Sequence, residues 1–160
     1  MSTATRPPPM VDTRLMKFSQ AGVVVLSAVA FLFQSPLLVV ISAAILGVSA
    51  IAPAASPFRL VYRGVLVPAK VLQPRRVEDD PAPHRFAQGV GTAFLIASTL
   101  VLYLTKLTPL GWGLDLLVFA LSFLNFSVGF CAGCFVYYQL GRLGVLPRVS
   151  YAGNFHWRGV

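Results

Sequence analysis

Cys131-Ala132-Gly133-Cys134 is the constellation in the sequence whose residue types and spacing most suggest chemistry. Two side chains three positions apart on a helix share a face, and their Cα atoms come close enough for a strained disulfide. A C-x-x-C pair can supply one nucleophilic thiolate and a second thiol that resolves the mixed disulfide. Apolar surroundings favour the neutral thiol, so ready attack there requires a kink, water or a docked partner. A packing reading stands beside the redox one. Gly129 and Gly133 are spaced as in close-packed membrane helices, and cysteine is a small residue at ease among apolar neighbours. Zinc takes about four ligands. Cys131, Cys134 and the sequence-distant His84 supply three, so no metal site is expected of this chain without a partner to complete it.

Asn125 falls within a long apolar run, where an amide must find a partner; interhelical hydrogen bonding is the expected role. His84 and His156 lie outside the apolar runs, so ligation of haem or a chlorin from within a bilayer is not expected, nor any cofactor of its own. The sequence contains no Walker loop, no G-x-G-x-x-G opening a helix after a strand, no H-E-x-x-H and no Ser/His/Asp set.

The elements that must position these residues follow from composition. The chain has 160 residues, 56% hydrophobic and 11% charged, with mean hydropathy +0.74. A soluble domain usually carries about a quarter charged residues, so an ordinary soluble globule is excluded, and the apolar content excludes a disordered chain. Thirteen Lys and Arg against five Asp and Glu give a formal charge of +8. These cations border long uncharged runs, which points to a membrane surface and not to nucleic acid.

Residues 21–55 contain no charged side chain. As one helix they would extend about 52 Å, well beyond the ~30 Å hydrocarbon layer. Gln34-Ser35-Pro36 divides them into a hairpin, 18–33 and 37–54. A second run, 89–140, carries only Lys106 and Asp115 and is divided by Thr108-Pro109-Leu110-Gly111-Trp112-Gly113. This predicts helices over 86–107 and 113–140, the latter long enough to project past the bilayer or to kink near Gly129 and Gly133. Trp112 is expected at the interface, with Lys106 and Asp115 at the outer boundary.

Twelve of the thirteen basic residues fall on one side of this scheme, with Lys106 alone on the other. Cation retention then places both termini and the central segment in the cytoplasm. The expected fold is all-α integral membrane, with four transmembrane helices as two hairpins and a cytoplasmic interfacial amphipathic segment. By residue number it comprises a disordered tail (1–17), a first hairpin (18–55), an interfacial segment and polar loop (56–85), a second hairpin (86–140) and a cytoplasmic tail (141–160). Arg59, Arg63, Lys70, Arg75, Arg76, Arg142 and Trp157 are expected at lipid headgroups, alongside Trp112. The hairpins read as copies. Lys17-Phe18-Ser19-Gln20 and Arg85-Phe86-Ala87-Gln88 open them, and Arg63-Gly64-Val65-Leu66-Val67-Pro68 and Arg142-Leu143-Gly144-Val145-Leu146-Pro147 follow them. An even number of spans per copy makes the repeat parallel.

With these residues in view, the chain resembles a bacterial family catalogued as domain of unknown function 4395. The marks are Val11-Asp12-x-Arg14, Phe18-x-Gln20, Ser56-Pro57, Val77-Glu78-Asp79, Arg85-Phe86-Ala87-Gln88-Gly89 and Gly129-Phe130-Cys131-x-Gly133-Cys134. The resemblance implies a small integral protein of the bacterial plasma membrane. Members often carry an acidic residue near the position of Asn125, and its absence here speaks against a proton-linked role. Genes of the family often neighbour thioredoxin-like and sulfurtransferase genes, which favours thiol chemistry at Cys131 and Cys134.

From sequence, the first expectation is a noncatalytic accessory subunit. It would pack against lipids and other membrane-protein subunits of a larger respiratory or photosynthetic electron-transfer complex. The alternative is a thiol-redox or sulfur-relay module in which Cys131 and Cys134 work with a thioredoxin-like or sulfurtransferase partner. Transport along the seam between hairpins ranks third, because only Asn125 and a few hydroxyls would line it.

Overall fold

A computed structural model of the chain describes residues 10–146. Its elements are β1 (Met10–Asp12), α1 (Thr13–Leu32), α2 (Pro36–Ile51), α3 (Pro57–Val61), a π-helical turn (Tyr62–Leu66), β2 (Arg76–Glu78), α4 (Pro81–Leu104), α5 (Thr108–Val128) and α6 (Ala132–Arg142). Expectations for residues 1–9 and 147–160, Trp157 among them, lie outside the described residues.

Helices α1, α4 and α5 are each long and apolar enough to cross a membrane. Helix α2 is apolar but has 16 residues, about 24 Å of helix. α1 packs on α2 and α5, and α4 packs on the same two helices, closing a ring of four; α6 lies against α4. Val23, Ala30, Val39, Leu46, Leu95 and Val118 meet along the axis of the ring.

Local chemistry sets the helix ends. The Asp12 carboxylate accepts the N–H groups of Arg14 and Leu15 at 3.1 and 3.3 Å, capping α1. Pro36 supplies a helical φ at the start of α2. Asp80 accepts the N–H of Ala82 at 2.9 Å and caps α4. The guanidinium of Arg85 donates to the carbonyls of Ala50 and Ile51 at 3.1 and 3.3 Å. It thereby satisfies the open C-terminal end of α2 and places a cation at the negative end of its dipole.

Several sequence expectations are corrected. Residues 10–17, read as part of a disordered tail, form β1 and the first turn of α1; β1 pairs antiparallel with β2 in the register Met10↔Glu78, Val11↔Val77, Asp12↔Arg76. Trp112, expected among lipid headgroups, is 7% exposed and meets Phe31 edge-on with ring centroids 5.8 Å apart. The turn before α5 is tighter than expected, because α5 already begins at Thr108 and rotates the indole inward. Asp115, expected at the outer boundary, is fully buried inside the ring. Of the two alternatives for the last helix, projection past the bilayer or a kink near Gly129 and Gly133, the chain shows an interruption: Gly129 adopts φ 76° and ends α5, and α6 starts afresh at Ala132. Left-handed φ is readily available to glycine, which is why the break falls there.

Candidate functional site

Three chain segments converge where α5 gives way to α6. The break at Gly129 frees Cys131 from the helix, and it becomes the N-cap of α6, with its Sγ accepting the N–H of Cys134 at 3.2 Å. Cys131 and Cys134 form a disulfide, with Cα atoms 5.2 Å apart. Cys131 is buried at 3% exposure, whereas Cys134 is partly open. The interruption therefore gives the pair a helix N-terminus to sit on, where the sequence suggests two cysteines sharing one helix face. Gly129 and Gly133 consequently do different jobs. Gly129 terminates a helix, and Gly133 lies against Ala87 of α4.

The first turn of α4 supplies the next member. His84 Nδ1 lies 3.5 Å from Cys134 Sγ, across 50 residues of sequence. His84 Nε2 lies 3.3 Å from Asp79 Oδ2. Asp79 directly follows β2, so the β1–β2 pair anchors the residue that orients the imidazole. Phe86 and Tyr137 stack edge-on at 5.4 Å, a second tie between α4 and α6. Cys131, Cys134, His84 and Asp79 thus form one chain of contacts, from a buried sulfur outward to a half-exposed carboxylate whose side chain is 45% open.

Beside this group lies a half-open pocket of about 140 Å³, lined among others by Gln20, His84, Gln88, Asn125 and Cys131. Gln20 Oε1 and Asn125 Oδ1 are buried with no hydrogen-bond partner among the described residues. Asn125 Oδ1 does not make the interhelical hydrogen bond expected of that amide, because the residue lines the pocket.

Of the cations expected at lipid headgroups, Arg63, Lys70, Arg75, Arg76 and Arg142 are exposed, and Arg59 donates to the carbonyl of Pro53 at 3.5 Å. Tyr62, beside them, is fully buried. Burial, and then the negative charge of Asp12, raises the pKa of its phenol.

The family described as domain of unknown function (DUF4395) matches residues 11–142. The chain belongs to that family. The match takes in every member of the convergent group, from Asp79 to Cys134. Neither the curated proteins nor the solved structures gave a match.

Sequence reasoning singled out Cys131 and Cys134 but left His84 at a distance and gave Asp79 no role. The available signal was slight: Asp79 and His84 lie five residues apart around a Pro-punctuated helix start.

Proposed function

We propose that this DUF4395 protein is a thiol–disulfide exchange module of a membrane, with the Cys131–Cys134 pair as its reactive group. One observation carries the reading: the pair sits at a helix N-terminus with its more open sulfur against an imidazole that a carboxylate orients. A partner thiolate attacks Sγ of Cys134, the accessible sulfur, forming a mixed disulfide and releasing Cys131 as a thiolate. That anion keeps the N–H hydrogen bond from Cys134 and the favourable end of the α6 dipole. A second partner thiolate then attacks the partner's own sulfur in the mixed disulfide and expels Cys134. The partner leaves as a disulfide, and two electrons and two protons have passed to the pair. In the reverse direction His84 is placed to take the proton of Cys134.

The membrane setting belongs to the same proposal. We read α2 as a fourth span, short enough to need local thinning or a shallow end. The ring supports a parallel duplication, since exchanging α1–α2 with α4–α5 carries the α2–α4 contact onto the α5–α1 contact. Both termini and the exposed cations between α3 and α4 then face the cytoplasm of a bacterial plasma membrane, together with the reactive pair. A thioredoxin-like or sulfurtransferase protein would meet it there. The accessory-subunit role rests on the apolar outer surface, which lipid covers equally well. It gives no account of why His84 and Asp79 converge on the disulfide.

Alkylation of the protein in native membranes, after incubation with reduced or oxidised dithiols, tests this reading. Both cysteines should gain the label after reduction and lose it after oxidation. A pair that keeps one redox state under both treatments rejects it.

A further inference from the structure

The sulfurs of Cys131 and Cys134 and a ring nitrogen of His84 all lie within 4.8 Å of one another. In tetrahedral zinc coordination, with Zn–S about 2.3 Å and Zn–N about 2.0–2.1 Å, a sulfur and a nitrogen ligand stand about 3.6 Å apart. Cys134 Sγ and His84 Nδ1 are 3.5 Å apart. Two sulfur ligands stand about 3.8 Å apart on the same arithmetic, a spacing the pair reaches once its bond is reduced. The remaining nitrogen of His84 faces a carboxylate, Asp79 Oδ2, at 3.3 Å. A carboxylate at the far nitrogen is the usual support of a metal-bound imidazole, fixing its tautomer and ring orientation.

We infer that the reduced pair and His84 form a three-ligand site for a borderline-soft divalent cation of the zinc class, with Asp79 as the outer support and a fourth position open. Thiolate and imidazole together select such a cation over magnesium or calcium, which prefer oxygen. Binding displaces two thiol protons and changes no oxidation state. Disulfide formation withdraws two of the three ligands, so the oxidised chain does not hold the cation. A dithiol donating two electrons and two protons restores the site. The open position accepts water, or a thiolate from a docking partner. The inference shares its sulfurs with the exchange reading and rests on it only in requiring that the pair can be reduced.

Cobalt(II) is the probe, added to the full chain in detergent after phosphine reduction and removal of excess reductant, with alkylation of an aliquot confirming free thiols. The expected result is one cobalt per chain, with thiolate-to-cobalt charge-transfer absorption and visible bands of tetrahedral intensity, displaced by zinc. Oxidised protein and the Cys131→Ser/Cys134→Ser double variant should show neither. Asp79→Asn should weaken binding about 10–100-fold. His84→Ala should weaken it at least as much, and His84→Cys should recover it, which separates lost ligation from lost folding. A reduced chain without the charge-transfer band overturns the site and leaves the exchange reading standing. So does a band that survives in the double variant, or an affinity indifferent to His84→Ala. A pair that cannot be reduced overturns both.

Discussion

Gly133 and Ala87 are so close that a β-carbon added to Gly133 would come within 2.5 Å of the Ala87 Cβ and 2.8 Å of its Cα. The contact is backbone against backbone, between the two cysteines on one side and three residues past His84 on the other. It sets how near α6 can approach α4, and through that the distance from Cys134 to His84. The glycine inside the C-x-x-C segment is thus a point of close approach between two helices that carry the candidate chemistry.

Gly133→Ala is therefore expected to push α6 away from α4. Overpacking of this kind usually costs about 1–3 kcal/mol. The variant should unfold at lower temperature in detergent. Its reduced Cys134 should also react with an alkylating agent at a rate no longer affected by His84→Ala. An unchanged rate and midpoint would show that α6 has room to move without cost.

Asp115 poses a different question. It is fully buried, and the side-chain group that faces its carboxyl is the likewise buried hydroxyl of Ser27. A carboxylate in an apolar ring is costly when no cation pairs with it and one hydroxyl is its side-chain partner. Asp115→Asn, which keeps the volume and removes the ionisable group, is expected to raise the unfolding temperature in detergent. A fall would mean that the carboxylate makes an interaction that Asn cannot supply.

Tyr62 offers a pH test outside the long apolar helices. Its phenol is buried near the Asp12 carboxylate, and its pKa is raised by burial and then by the charge and hydrogen bonding of Asp12. The folded chain therefore holds the proton more tightly than the unfolded one. Stability is unaffected below the unfolded value near 10 and falls as pH rises through the interval up to the folded value. Tyr62→Phe should flatten that alkaline loss, measured as unfolding temperature against pH. A steeper loss in the variant would contradict the sign.

How much of this was legible in sequence differs from element to element. The uncharged run 21–55, its Gln34-Ser35-Pro36 turn and the run 89–140 gave the helical pairs, because hydrophobic length is a one-dimensional property. The strand pair Met10–Asp12 with Arg76–Glu78 was not visible: three-residue strands leave no period, and their pairing spans more than 60 residues. Trp112 and Asp115 were misplaced because residue type indicates a preferred depth, whereas the helix start at Thr108 decides which way each side chain points. The sequence offers Gly129 both as a packing glycine spaced to Gly133 and as a kink position, and spacing alone does not decide between the two. Cys131 and Cys134 were found by their motif. His84 and Asp79 came to them only through the packing of α4 on α6.

The unequal burial of the two sulfurs leads to the sharpest expectation for exchange. Cys131 is 3% exposed and is the N-cap of α6, while Cys134 is partly open and faces His84. An incoming thiol can reach Cys134 without moving the helix and cannot reach Cys131 in the same way. Cys131→Ser leaves the accessible sulfur with no resolving partner, so its thiolate should attack the disulfide of an oxidised thioredoxin-like protein or of a small-molecule disulfide, expel one of the two sulfurs as a thiolate and accumulate as a mixed disulfide, visible as dithiol-sensitive mass shifts. Cys134→Ser leaves only the buried sulfur, and such adducts should be at least about tenfold scarcer, a difference of about 1.4 kcal/mol in the equilibrium. His84→Ala in the Cys131→Ser background should slow adduct formation without abolishing it, since the sulfur remains and only its proton acceptor is lost. The opposite ranking, with adducts on Cys131 predominating, would mean that α6 unwinds before it reacts and that its N-cap is the moving part of the site.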